Sequence, residues 1–286
     1  MSPEEAAEAK ELLTAVIDYQ IALSETTFVK ELIDRAAPIL WLGEKKTGNI
    51  VTIGTNPTSH AYRTIDHDIE HHGKEHPFAC ESYETLLKLK ESSSDLEAII
   101  DYYQSYFKGG NTYTRWFGKK EGGRLEGFMN GMGASFYSHD LPSYSPIVHV
   151  DHFPLPTRRS MGQIADKETL LYSTFIKEWM QGMLLFLAPS LIVLLGKEHV
   201  RQFEYAHKVR FNEITHVKGY PSARYRIGQL PDHAIPVIGL HFKPSEQFLG
   251  LGGKKDRHGT SHGHYGRSEV IRWFGEQIRK EWEESY

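Results

Sequence analysis

Four short runs of aliphatic, largely β-branched residues constrain the fold of this chain more than any other feature. Asn49–Gly54, Pro146–Asp151, Ser190–Gly196 and Pro236–His241 are each too short for a stable helix. They are apolar with little alternation, the pattern of strands buried on both faces of a parallel sheet. Between them lie longer stretches of helical spacing: Tyr83–Leu89, Leu96–Phe107, Leu125–Met132, residues 168–187, Lys197–Ala206 and Ser268–Glu284. Strands alternating with helices predict an α/β fold, a three-layer α/β/α arrangement around a central, mainly parallel four-stranded sheet. Residues 209–230 add short β-like runs and turns. At the front, Ser2 is placed to cap a helix with Pro3 at its first position and Glu4 and Glu5 in its first turn. Apolar residues such as Leu13, Val16 and Ile17 continue that helix to about residue 37. With no internal repeat and no linker, the chain divides into an N-terminal helical extension, 1–45, and one α/β domain, 46–286.

Composition narrows the classes. Lys and Arg total 33 against 37 Asp and Glu, a net charge of −4 that excludes a uniformly basic polyanion binder. Sixteen histidines make that charge rise below the free-imidazole pKa, about 6.5. The single cysteine, Cys80, excludes a disulfide partner within the chain, an iron–sulfur cluster and a multi-thiolate zinc site. The longest apolar stretch, Met183–Leu195, is interrupted by Pro189 and too short to span a bilayer, and the start is acidic rather than signal-like. A soluble, cytoplasmic protein without a membrane association is expected.

In open parallel sheets, ligands bind beyond the carboxyl ends of the strands. Here those ends carry Gly54–His60, Asp151–Arg158, Gly196–Lys197 and His241–Ser245, with amide, carboxylate and cation represented. A purely structural sheet does not require that set. Thr157-Arg158-Arg159 fits either a phosphate grip or a surface salt bridge, and Asn111–Gly118 reads either as a packing and turn element or as a segment that turns Arg115 and Trp116 to the cleft. Histidines at spacing four between His67 and His76 suit metal only on a helix, and no cap or apolar face supports one; a solvated loop without metal is expected. Trp273, Phe274 and Trp282 at helical spacing read as core. Phosphate-loop, dinucleotide and nucleophile-elbow glycine motifs are missing.

Together these segments resemble the uracil-DNA glycosylase superfamily. "VTIGTNP" looks like its first motif, in the Gly-x-Asn-Pro form of the mismatch-specific thymine/uracil branch. "PSLIVLLGKEHV" is similar to its third strand and following helix, "VIGLHFKPS" to its last motif, and "HGHYGRSEVIRWFGEQI" to its closing loop and helix. The likeness runs from about residue 49 to 280.

The resemblance implies a DNA partner, no organic cofactor and no metal, and hydrolysis of the N-glycosidic bond of a deaminated or mismatched base, as in base-excision repair. A base must leave the stack for a pocket that reads its pairing edge, and negative charge on the departing base needs a donor. In this family pattern Asn56 positions water, since an amide is no general base. Lys243 or His241 stabilises the leaving base; Lys243 stands where the family has histidine. Gly54, Pro57, Phe78, Asp151, Phe153 and Ser245 shape the base pocket. Asp151 replaces an asparagine, and an ionised carboxylate only accepts hydrogen bonds, which points away from uracil. Phe248 and Leu249 would act as a wedge beside Lys254, Lys255 and Arg257 on the DNA backbone. The alternative is a nucleic-acid or nucleotide-binding protein of the same fold without glycosidase activity.

Overall fold

The computed structural model describes residues 1–33, 36–57, 83–109, 112–120, 122–137, 144–231, 234–245 and 268–285. The helices are α1 (Pro3–Ser24), α2 (Tyr83–Glu91), α3 (Ser93–Ser105), α4 (Thr114–Phe117), α5 (Arg124–Gly131), α6 (Lys167–Leu171), α7 (Thr174–Leu187), α8 (Lys197–Ala206) and α9 (Ser268–Ser285). The strands are β1 (Ile50–Gly54), β2 (Ala134–Ser135), β3 (Ser145–Asp151), β4 (Leu191–Leu195), β5 (Arg210–Phe211), β6 (Thr215–His216), β7 (Arg224–Leu230) and β8 (Ile235–Leu240). They build a mixed α/β fold with a mostly parallel central sheet.

Sheet order is β2-β3-β1-β4-β8-β7-β5, with β6 also on β7. The four strands expected from the apolar runs are its contiguous centre, β3-β1-β4-β8. β1 and β4 run parallel, as do β4 and β8, and every residue of β1 and β4 is buried. The four-stranded expectation is corrected at both margins. β2 joins parallel to β3, and β7 joins antiparallel to β8 and carries β5 and β6. β7, RYRIGQL, escaped the apolar criterion because its burial is interrupted by exposed and half-buried Arg224, Arg226 and Gln229. That is the pattern of an antiparallel strand with one wetter face.

Two compact units divide the chain. The first comprises 1–45, 54–106 and 149–188 and contains α1–α3, α6 and α7. Its long helix α1 starts as the sequence predicts: Glu5 N donates to Ser2 Oγ (3.2 Å) and Ser2 N donates to Glu5 Oε2 (2.7 Å), a reciprocal capping box behind Pro3. Leu13, Val16, Ile17 and Leu23 are buried, and α1 packs on α3 and α7. The helix stops at Ser24 rather than near residue 37. In the run Ser24-Glu25-Thr26-Thr27, Ser24 and Thr26 turn their hydroxyls back on the Ile21 and Leu23 carbonyls, competing with helix propagation. The expected helix 168–187 is likewise broken: Ser173 Oγ accepts from Ile176 N (3.3 Å) and caps α7, leaving α6 as a separate turn. Trp41 anchors this core, tilted against Tyr103 (4.9 Å between ring centroids) and Phe186 (5.3 Å).

The second unit comprises 46–53, 107–148 and 189–286 and holds the sheet, apart from Gly54 and His149–Asp151, together with α4, α5, α8 and α9. α8 packs on β4 and β8, and α5 packs along α9. Phe274 is fully buried there, whereas Trp273 and Trp282 are half-buried, so the expected aromatic core reduces to Phe274. Among the described residues no helix is long and apolar enough to cross a membrane.

Candidate functional site

In the first unit the chain leaves β1 at Gly54 and runs beside the end of β3. His152 N donates to Gly54 O (3.0 Å) and Phe153 N to Thr55 O (2.9 Å), extending strand-like pairing past the end of the sheet. Asn56 is fixed by two bonds from its amide nitrogen, to Thr157 Oγ1 (2.8 Å) and to Pro57 O (3.1 Å). Thr157 in turn donates to Arg159 O (2.6 Å). This relay holds the Asn56 amide in one orientation, with the carbonyl oxygen as the group able to accept a hydrogen bond from a water.

Asp151 sits at the end of β3 with His149, two residues earlier, on the same side of the strand. Nε2 of His149 is 3.4 Å from Asp151 Oδ1, and the two side chains are only 5% and 12% exposed. Gly54 makes this possible. A Cβ at Gly54 would collide with Asp151 Oδ1 and stand 3.1 Å from the His149 ring. Gly54→Ala is therefore expected to push the carboxylate aside and destabilise the protein by about 1–3 kcal/mol, as overpacking does. Thermal unfolding of the variant checks this, and an unchanged melting temperature would show that the pair yields freely.

Phe153 is completely buried and Pro57 is buried as well. His152 is fully buried against Leu171 O (3.0 Å), and burial drives its pKa down, keeping the ring neutral. Of the two readings of Thr157-Arg158-Arg159, Arg159 takes the salt bridge: its guanidinium grips both oxygens of Glu31, and that pairing lowers the Glu31 pKa.

In the second unit β4 is followed directly by Gly196, which caps α8 with φ +122°. The segment after β8 crosses this glycine. Lys243 Cε and Cγ lie 3.2 and 3.3 Å from where a Gly196 Cβ would be, with His199 Nδ1 at 3.4 Å. Lys243 Nζ reaches 6.0 Å from the centroid of the Trp116 ring, a cation–π distance. A flexible side chain is thus confined between a bare backbone and an indole. Phe242, just before it, is buried edge-on to Phe128 and Phe274, both at 6.0 Å. Ser245 is 4% exposed; its carbonyl accepts from Arg124 Nη1 (2.7 Å), and its hydroxyl has no hydrogen-bond partner among the described residues. His241 is half-buried. Burial first, then the charges of Arg226, Lys197 and Arg224, depress its pKa, so at neutral pH it is an uncharged donor.

No protein-family model matches the chain, and no curated protein matches it. Chemistry at the two clusters therefore carries the functional reading.

The structure groups Gly54, Asn56, Pro57, Asp151 and Phe153 in the first unit and His241, Lys243 and Ser245 in the second. Phe78, the histidines between His67 and His76, Phe248, Leu249, Lys254, Lys255 and Arg257 lie outside the described residues. Among the described residues, no group of three or more His, Cys, Asp or Glu side chains could hold a metal ion. His149 went unrecognised in the sequence, and Thr157 and Trp116 were named there without these partners. His149 had a readable signal, because residues two apart on a strand share a face. Thr157 and Trp116 had none of that kind, since each meets its partner across a long stretch of chain.

Proposed function

We propose that this chain is a DNA glycosylase-like hydrolase with the three-layer α/β/α arrangement of the uracil-DNA glycosylase superfamily, removing a deaminated or mismatched base from DNA. The observation that carries this reading is the placement of Lys243. Its stem lies on Gly196 and its ammonium over Trp116, so a full positive charge is held with little freedom left to lose. Departure of a base leaves negative charge on a ring, and a donor already in place stabilises that charge without reorganising as the bond breaks. Of the two donors left open by the sequence, neutral His241 can offer only an N–H, whereas Lys243 offers charge as well. Asn56, locked by Thr157, has the fixed acceptor that water placement requires.

Binding without chemistry is the second reading, and one observation favours it. The Asn56 amide nitrogen is committed to two protein acceptors, which would suit a structural clasp as well as a water-positioning group.

The test is strand nicking. Labelled duplexes carrying uracil, hypoxanthine, xanthine or a G·T mismatch are incubated with the protein and treated with alkali. One substrate is expected to be cleaved, with Lys243→Ala slower by about 10²-fold or more, the usual effect of removing one donor to a developing anion. Cleavage should also fall in Asn56→Ala. Salt-sensitive DNA binding without cleavage of any duplex would overturn hydrolysis in favour of the binding reading.

A further inference from the structure

We infer that Asp151, oriented by His149, is the general base that delivers water in the hydrolysis proposed above; the inference rests on that reading. Breaking an N-glycosidic bond with water needs an acceptor for the water proton at the moment its oxygen bonds to the sugar carbon. Asn56 cannot be that acceptor, because an amide oxygen is far too weak a base. In the cluster formed by residues 54–57 and 149–157, Asp151 is the carboxylate the structure provides.

Three features fit it for the task. First, it is nearly enclosed, at 12% side-chain exposure, so bulk water does little to weaken a carboxylate–water contact. Second, it leans on Gly54, whose missing side chain is the space the Oδ1 atom occupies. The carboxylate is thereby set at the point where β1 hands over to the Asn56 turn. Third, the imidazole of buried His149 lies 3.4 Å from Oδ1, which leaves Oδ2 for the water. A ring beside one oxygen of a carboxylate fixes its orientation, the same division of labour by which a nucleophile, its base and an orienting third group act together. His149 is then a positioning residue and Asp151 a catalytic one.

The proton balance closes. The water oxygen bonds to the sugar carbon while the carbon–nitrogen bond breaks, its electron pair leaving with the base. One water proton passes to Asp151, and the base regains a proton from solvent. Asp151 then returns its proton to solvent. No oxidant, reductant or further reactant takes part. This role also differs from edge-reading: a group that activates water governs the rate, whereas a group that reads a base governs which base is bound.

The experiment uses the full chain on whichever duplex the wild type cleaves, with single-turnover rate and KM followed against pH. Asp151→Asn keeps the shape and is expected to lower the rate by about 10²–10⁴-fold, the span of general-base catalysis, with KM unchanged and the acid limb of the pH profile erased. Asp151→Ala should regain part of its rate in added formate, a small carboxylate that supplies the missing base. His149→Ala should slow the reaction with KM unchanged, and His149→Gln, whose amide can still reach the carboxylate, should restore most of that rate. A purely structural role for His149 would lower stability without that split in rate between the two variants. The inference is overturned if Asp151→Asn keeps its rate, if it raises KM alone, or if it changes which base is removed. A wild-type profile without an acid limb overturns it too, even if the Asp151 variants fail to fold. Wild-type protein that cleaves nothing sinks the glycosylase reading itself, whereas cleavage undisturbed at Asp151 sinks the inference alone.

Discussion

Gly131→Ala is expected to destabilise the protein by about 3 kcal/mol or more, the upper range for overpacking a rigid contact. Within the second unit, α5 and α9 approach backbone to backbone. A Cβ at Gly131 would strike the carbonyl of Arg272, and one at Gly275 would strike the carbonyl of Phe128. Both obstacles are helix backbone, which cannot swing aside like the end of a long side chain. Alanine gains about 1 kcal/mol over glycine in a helix interior, too little to offset the clash. Gly127, one turn earlier on α5, supplies the control. Its Cβ would meet nothing nearer than 3.7 Å, an ordinary contact. Gly127→Ala should therefore be neutral or stabilising by up to about 1 kcal/mol. Urea unfolding of the three proteins measures both effects, and equal stability of Gly131→Ala and Gly127→Ala would refute the close approach. The consequence reaches the candidate site, because Phe242 is packed edge-on to Phe128 of α5 and Phe274 of α9. Forcing the helices apart displaces the residue that precedes Lys243.

The contrast between these two glycines shows what a sequence can and cannot disclose. Both lie in one amphipathic segment, and periodicity locates that segment correctly as helix. What separates them is a partner some 140 positions away, and no local pattern encodes the distance between two backbones. The same division runs through the fold. The central strands were legible because burial on both faces leaves an unbroken apolar run, and α8 because a glycine precedes it and apolar residues recur along it. β7 was obscured by the arginines on its wetter face. The helix breaks at Ser24 and Ser173 depend on hydroxyls choosing local carbonyls and amides over a continued helix, a competition decided by tertiary packing. At the site, strand-end residues such as Asn56, Asp151 and Lys243 could be nominated from position alone. Their working partners, Thr157, Gly54 and Trp116, became visible only when separate stretches of chain met. His149 is the exception, written two residues before Asp151 on the same strand.

Glu126 was equally hidden, and its replacement carries the second large effect. On α5 it reads as an ordinary polar helix residue, yet it is 1% exposed. Its Oε1 accepts from Asn130 Nδ2 (2.8 Å) and Ser135 Oγ (2.6 Å), and its Oε2 accepts from Phe136 N (2.9 Å). One carboxylate thus closes the turn that joins α5 to β2. Glu126→Ala strands those donors in a dry interior. With each orphan costing about 1–3 kcal/mol, a loss of about 4 kcal/mol is expected after relaxation. The pH dependence distinguishes this from simple loss of packing. Burial raises the Glu126 pKa, outweighing the hydrogen bonds from Ser135, Phe136 and Asn130 that lower it. A carboxyl with a folded-state pKa above its unfolded value, about 4.3, binds its proton more tightly in the folded protein. Its contribution to stability is full below the unfolded pKa and declines as pH rises through the folded one. Glu5 and Glu31, whose pKa values are lowered by Lys45 and Arg159, act in the opposite sense and lose their contribution as pH falls. Glu126→Gln removes the titration while keeping the shape. The stability of wild type relative to Glu126→Gln should then decrease with rising pH above the unfolded carboxyl range. Urea unfolding of both proteins between acid and neutral pH measures that difference. A difference that grows with pH would mean that the three donors, rather than burial, dominate the charge at this site.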